Sequence, residues 1–183
     1  MRTSDCDILI VPGLGSSGPD HWQTRWQQNL STARRVEQDD WERPDGDAWI
    51  ARILAAVEAS RRPVVIIAHS LGVPAVVQAA PLMPPERVRG AFLVAPADVE
   101  RPGLVPGLDL PFAPIPRDPL PFPSILVASR ADPYCAYDRA EDFAYAWGAA
   151  VVDAGEAGHL NIESGHGPWP EGLMRFAGFL RRL

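Results

Sequence analysis

Pro63-Val64-Val65-Ile66-Ile67-Ala68-His69-Ser70-Leu71-Gly72 runs directly into Val73-Pro74-Ala75-Val76-Val77-Gln78-Ala79-Ala80. The unbroken apolar run before Ala68 reads as a strand covered on both faces, as in a parallel sheet. The stretch after Gly72 is compatible with a helix. Strand, sharp turn and helix with a serine at the apex make the geometry of a nucleophile elbow. Such a turn lifts the Ser70 hydroxyl clear of the sheet. It also puts the Leu71 amide at a helix N-terminus, aimed at an oxyanion forming on the atom that Ser70 attacks. Gly72 leaves room for strand and helix to approach closely. Where the pattern G-x-S-x-G opens on glycine, this chain has Ala68, whose methyl must be accommodated.

On either side of this stretch, short apolar runs alternate with helical patterns. Strands are expected at Ile8–Val11, Val64–Ala68, Ala91–Ala95 and Ile125–Ser129, with weaker ones at Arg34–Glu37 and Ala149–Asp153. Helices are expected at about 19–30, 46–60, 71–82, 137–147 and 170–182. In the second of these, Trp49, Ile50, Ile53, Leu54 and Val57 form the stripe of a helix packed on a sheet. The alternation predicts an α/β fold: about six strands, mainly parallel, with helices on both faces.

Residues 96–123 break the alternation. They carry nine prolines, from Pro96 to Pro123, a density that forbids a helix or a central strand. Leu104, Leu108, Leu110, Phe112, Ile115 and Leu120 would be costly to leave in water. Two readings stand side by side: a stiff wall of a substrate pocket, with Leu110 and Phe112 bordering it, or a crossover that simply covers the sheet.

With 183 residues, the chain reads as a single domain, 1–183, able to bury roughly 70% of its unfolded surface. Apolar content of 46% and charged content of 22% fit an ordinary globule. A net charge of −6 leaves no electrostatic footprint for nucleic acid or an anionic membrane. Ile8-Leu9-Ile10-Val11 is too short for a signal-peptide core or a membrane span, so a cytoplasmic location is expected. Cys6 and Cys135 lack metal-like spacing and give no reason to form a disulfide there.

A serine needs a base to take its proton, and the base needs an acid to orient it. In α/β-hydrolases the chain order is serine, acid, histidine, each at the C-terminal end of a strand. His159 sits just past the last expected strand, in a loop whose glycines permit the ring to return over the elbow. His166 is the alternative base. Asp132 ends the run Ile125-Leu126-Val127-Ala128-Ser129-Arg130-Ala131-Asp132-Pro133, a strand followed by a turn. Asp98 is the alternative acid, and Asp153 lies too close in sequence to His159 to be preferred. His69 reads as packing on the other side of its strand. His21 begins the first helix and either caps it or lines the mouth of the site.

The oxyanion hole needs a second amide. Val11-Pro12-Gly13-Leu14-Gly15-Ser16-Ser17-Gly18 follows the first strand, and its glycines let N–H groups turn inward. Leu14 is the first candidate, with Gly15 or Gly13 next; Gly13 also counts as a substrate-binding candidate. The loop formally fits G-x-G-x-x-G, but the acidic residue expected about 20 residues on is only loosely met by Glu37 or Asp39. A dinucleotide site would also leave the elbow unexplained. Trp41 and Trp169, in loops near strand ends, are candidates for a pocket wall. Cys135, with nothing basic beside it, reads as a buried small residue.

The set Val11-Pro12-Gly13, His21-Trp22-Gln23 with Trp26, Trp41-x-x-Pro44 with Trp49, Ala68-His69-Ser70-Leu71-Gly72, Asp132-Pro133-Tyr134-Cys135, Trp147-Gly148-Ala149, and Gly158-His159-Leu160-Asn161 through Trp169-Pro170 resembles the small serine-hydrolase family typified by the retinoblastoma-binding hydrolase. The resemblance runs over almost the whole chain. It implies a reduced α/β-hydrolase fold, no cofactor and no metal, and a triad of Ser70, Asp132 and His159. The partner binding of the namesake is not implied, because neither cysteine sits in an L-x-C-x-E arrangement.

The expected activity is hydrolysis of a small acyl ester or related carboxylic derivative. The same machinery would serve an acyltransferase or a peptidase. A non-catalytic binding or scaffold protein on the same fold is the competing class.

Overall fold

The computed structural model describes residues 1–183. Six strands form one sheet: β1 (Asp7–Val11), β2 (Ala33–Arg35), β3 (Val64–Ser70), β4 (Val88–Pro96), β5 (Ser124–Ala128) and β6 (Ala150–Asp153). Their order is β2-β1-β3-β4-β5-β6, and every pair is parallel. The helices are α1 (Trp22–Asn29), α2 (Gly46–Glu58), α3 (Gly72–Ala79), α4 (Tyr137–Trp147) and α5 (Pro170–Leu180). No helix is long and apolar enough to cross a membrane.

Because successive strand residues point to opposite faces, the apolar runs feed two cores. Ile8, Ile10, Val65, Ile67, Phe92 and Val94 meet Trp22 and Trp26 of α1 and Phe176 and Phe179 of α5. Leu9, Val11, Val64, Ile66, Ala91 and Leu93 meet Trp49, Ile53 and Val57 of α2, Val73, Val76 and Val77 of α3, and Phe143 and Trp147 of α4. Each large apolar side chain so buried contributes about 1.5–3 kcal/mol.

Element bounds shift slightly from the sequence expectation. Helix α1 begins at Trp22 because His21 Nδ1 accepts the Gln23 N–H and caps it. Strand β2 lies at Ala33–Arg35 because that is where β1 offers partners, Ile8 to Ala33 through Ile10 to Arg35.

The sheet order positions the site. The chain steps from β1 outward to β2, then back past β1 to β3. The connections after β1 and β3 therefore diverge and leave a crevice at their C-terminal ends, where open α/β sheets bind ligands. The Gly13 loop leaves β1 there, and Ser70 ends β3 there.

Beyond Pro96, the last residue of β4, the proline-rich segment contains no helix or strand, and it divides in two. Leu104, Val105 and Leu110 turn toward the crevice. Phe112, Ile115 and Phe122 are buried in the core beside α2, α3 and α4. Gln78 Nε2 donates to the carbonyls of Phe112 (3.2 Å) and Pro114 (3.0 Å). Trp147 Nε1 donates to Pro116 O at 2.8 Å, and the Leu120 N–H to Trp147 O at 3.0 Å. The second half thus covers the sheet where a crossover helix would otherwise lie.

Candidate active site

Ser70 has φ = +55°, a left-handed conformation that costs a non-glycine residue about 1–3 kcal/mol and persists only where its surroundings enforce it. Gly72 and Gly13 supply the enforcement. A Cβ on Gly72 would run into the carbonyl oxygens of Val11 and Pro12. One on Gly13 would lie 2.8 Å from Ser70 Cβ and 3.0 Å from the Leu71 nitrogen. Helix α3 and the loop after β1 therefore close on the elbow from two sides, and only glycine fits at either contact.

Ser70, His159 and Asp132 come together. His159 Nε2 lies 2.8 Å from Ser70 Oγ. His159 Nδ1 lies 2.9 and 3.0 Å from the two oxygens of Asp132. A carboxylate accepts, so Nδ1 carries the proton and Nε2 presents its lone pair to the Ser70 hydroxyl. The Asp132 side chain is 2% exposed and that of His159 8%. Asp132 Oδ1 also accepts the Tyr134 N–H at 2.9 Å, which pins the carboxylate. The Tyr134 ring lies 4.5 Å from the His159 ring.

The alternatives are engaged elsewhere. Asp98 pairs with Arg139 Nε at 3.2 Å, and Asp153 pairs with Arg130 at 2.7 Å on the surface. His166 Nδ1 meets Ser164 Oγ at 3.1 Å and stays outside the cavity. In the loop after β1, the Gly15 N–H donates to Trp41 O and the Ser16 N–H to Gly13 O. Among the candidate oxyanion donors, Gly15 is thereby occupied. The amides of Leu14, Gly13 and Leu71 have no acceptor within the protein.

A cavity of about 320 Å³ opens over Ser70. Gly13, Leu14, Leu71, Ala97, Leu104, Val105, Leu110, Tyr134 and Ile162 supply its apolar and backbone walls. His21, Asn161 and Glu163 lie on its polar side. Of the expected pocket residues, Gly13, His21 and Leu110 line it. Phe112 is a correction. It is 6% exposed, and its ring packs 6.1 Å from that of Trp49 and under Gly46 at the start of α2. The chain turns inward between the two positions, so neighbours in sequence serve different surfaces. Trp41 and Trp169 also miss the cavity: Trp41 packs edge-on against Trp49 at 5.5 Å, and Trp169 against Trp22 at 4.9 Å.

The contrast between Leu110 and Phe112 is measurable. On the ester-hydrolase activity expected from the sequence, Leu110→Ala should change acyl-chain preference by about 1–3 kcal/mol in kcat/KM, the scale of one missing apolar contact. Phe112→Ala is expected to leave that preference alone and cost about 3–5 kcal/mol of stability. Urea unfolding and kcat/KM across a p-nitrophenyl ester series separate the two. A selectivity change in the Phe112 variant would contradict this division.

Two residues escaped the sequence reading. Gln23 is fully buried. Its Nε2 donates to Val11 O (3.3 Å) and Ile67 O (3.5 Å), and its Oε1 accepts from Ser17 Oγ (2.7 Å). It ties β1 and β3 to the loop that leads from β1 into α1, and nothing in the sequence marks it beyond the His-Trp-Gln triplet. His69, read as packing, reaches the site: its Nε2 lies 2.9 Å from His159 O. No group of three or more His, Cys, Asp or Glu is placed to share a metal ion. Burial pushes the thiol of Cys135 up to about 12 and that of Cys6 to about 11, so neither is a nucleophile at neutral pH.

His21 both caps α1 and lines the cavity. Burial, helped by Arg35 and His159, lowers its pKa to about 4. The unfolded chain takes up this proton as pH falls below about 6.5, whereas the folded protein does not until about 4. The stability tied to a neutral His21 is thus fully present above about 6.5 and is lost as pH falls toward 4. Asn caps helices as well as His21 does and does not titrate. His21→Asn is therefore expected to spare on the order of 3 kcal/mol of the loss between neutral pH and pH 4. Equal changes in urea midpoint for both proteins over that range would contradict this.

A family model described as serine hydrolase matches residues 8–178. The solved structure of a YdeN-like hydrolase from Pectobacterium atrosepticum is 35% identical, with a TM-score of 0.86 over 97% of this chain and 91% of that one. The ydeN gene product of B. subtilis is 16% identical, with a TM-score of 0.78 over 96% and 99%. An esterase from Thermogutta terrifontis, solved with propionate bound, is 17% identical, with a TM-score of 0.70 over 100% and 85%; at that identity the likeness is one of fold. No protein of curated function matches the chain. The six-stranded parallel sheet with its helices is an α/β-hydrolase fold.

Proposed function

Since the chain belongs to the serine hydrolase family, we propose that it cleaves a small acyl ester or related carboxylic derivative through a Ser70–His159–Asp132 triad and an acyl-enzyme. His159 Nε2 takes the Ser70 proton as Oγ attacks the carbonyl carbon. The oxyanion is received by the amides of Leu71 and Leu14. His159 then returns the proton to the leaving alcohol, and water, deprotonated by the same nitrogen, releases the acid. Asp132 keeps the Nδ1–H tautomer in place and stabilises the imidazolium that forms.

The observation that carries this reading is the 2.8 Å contact between Ser70 Oγ and His159 Nε2, backed by both Asp132 oxygens. A cavity of about 320 Å³ suits a short acyl chain, and the same fold holds propionate in the Thermogutta esterase. The tryptophan-rich motifs support kinship with the retinoblastoma-binding hydrolase within the family. Two free, buried cysteines suit the reducing cytoplasm that we propose as its location.

A fluorophosphonate probe and a series of p-nitrophenyl esters of increasing acyl length test the reading. Stoichiometric labelling at Ser70 and an optimum at short chains are expected. A folded protein that neither labels nor turns over any ester would instead be a binding or scaffold protein on this fold.

A further inference from the structure

We infer that His69 and Trp22 are positioning residues: each donates a buried hydrogen bond to one of two consecutive carbonyls, and together they hold the His159 loop in register with Ser70. The inference rests on the triad reading above. His69 Nε2 lies 2.9 Å from His159 O; a carbonyl only accepts, so this nitrogen carries the proton. Trp22 Nε1 donates to Leu160 O at 2.8 Å. His69 is 5% exposed, and Trp22 and Leu160 are fully buried.

The loop needs holding. Between β6 and α5 the chain forms no regular element, so no ladder fixes the His159 backbone. Gly158 has φ = +58° and Leu160 φ = +50°. The second is a strained conformation for a leucine and would relax if released. The two donors come from β3 and α1, elements fixed by the sheet and the core. They also brace each other, since the Trp22 and His69 rings meet edge-on at 5.8 Å. The sheet does not require the His69 side chain, because the strand backbone makes the β3 ladder to β4.

Charge supports the assignment. The His69 ring lies 4.8 Å from the His159 ring and 5.0 Å from the His21 ring. Burial keeps His69 well below the ordinary histidine range, and His159 and His21 act in the same direction. His69 thus serves as a neutral donor and adds no positive charge beside the imidazolium that forms on His159 during turnover.

The test compares two amides of different reach. In His69→Gln the amide nitrogen reaches the His159 carbonyl; in His69→Asn it stops one bond short. With p-nitrophenyl acetate, His69→Asn is expected to lose on the order of 10² in kcat, the effect of moving a reacting group by about 1 Å, while KM stays within about twofold. His69→Gln is expected to recover most of that loss. Wild-type kcat in the Asn variant, or equal losses in both, overturns the inference. Should neither fold, Trp22→Phe removes the other donor and keeps an aromatic ring in the cluster. It is expected to lower kcat by on the order of tenfold, and an unchanged kcat overturns the inference as well. Ser70→Ala, measured alongside, keeps the two levels apart. If that variant still labels and turns over, the triad reading falls. If it is inactive while the His69 and Trp22 variants match wild type, only the positioning role falls.

Discussion

Ser70→Ala is expected to lose on the order of 10⁶ in kcat, about 8 kcal/mol of transition-state stabilisation, together with all fluorophosphonate labelling. Ser70 Oγ meets one protein group, His159 Nε2 at 2.8 Å, and no other hydroxyl shares that nitrogen. Stability should hardly change. The left-handed backbone at position 70 is enforced by Gly13 and Gly72, and alanine tolerates it about as well as serine does. The measurement is single-turnover ester cleavage beside a thermal melt. Labelling that survives at another serine would sink the assignment of the nucleophile.

Asp132→Asn is expected to lose on the order of 10⁴ in kcat, about 5 kcal/mol, with little loss of fold. Both carboxylate oxygens lie within 3.0 Å of His159 Nδ1 and accept its proton. An amide offers one acceptor and one donor. When the NH₂ faces Nδ1, the imidazole takes the opposite tautomer, with its proton on Nε2, and cannot receive the proton of Ser70. Asp98→Asn is the matched control. Its carboxylate, mostly buried against Arg139, does not touch His159, so kcat per folded molecule should stay within about threefold of wild type. Were Asp98→Asn the damaging change and Asp132→Asn nearly silent, the orienting acid would sit one strand earlier.

Some of this was legible locally. The strand before Ser70, the turn and the small-residue helix after it announce the elbow because each depends only on chain neighbours. Asp132 and His159 are legible for the same reason: each follows a recognisable strand, and strand ends in a parallel sheet gather on one edge. Their convergence on Ser70 follows from topology. The α2 stripe of Trp49, Ile53 and Val57 is likewise a matter of period, and the structure buries all three.

Other features had no local signal. Leu110 and Phe112 are two residues apart in a segment with no period, so nothing in the chain says that one lines the cavity and the other packs on Trp49. That the amide of Gly15 is engaged, and not that of Gly13 or Leu14, depends on a carbonyl at Trp41. The reach of His69 to the His159 loop has no local signal, because its acceptor, the His159 carbonyl, is 90 residues away; the Trp22 contact spans 138.

Periodicity, turn chemistry and strand ends are properties of adjacent residues, so the alternating fold, the elbow and the chain order of Ser70, Asp132 and His159 are written in the chain itself. Which irregular segment faces the cavity, which amides stay unpaired and what braces the His159 loop are set by the packed fold. Those outcomes depend on which distant groups are brought within about 3 Å of each other, the range over which a hydrogen bond acts, and no local pattern encodes that.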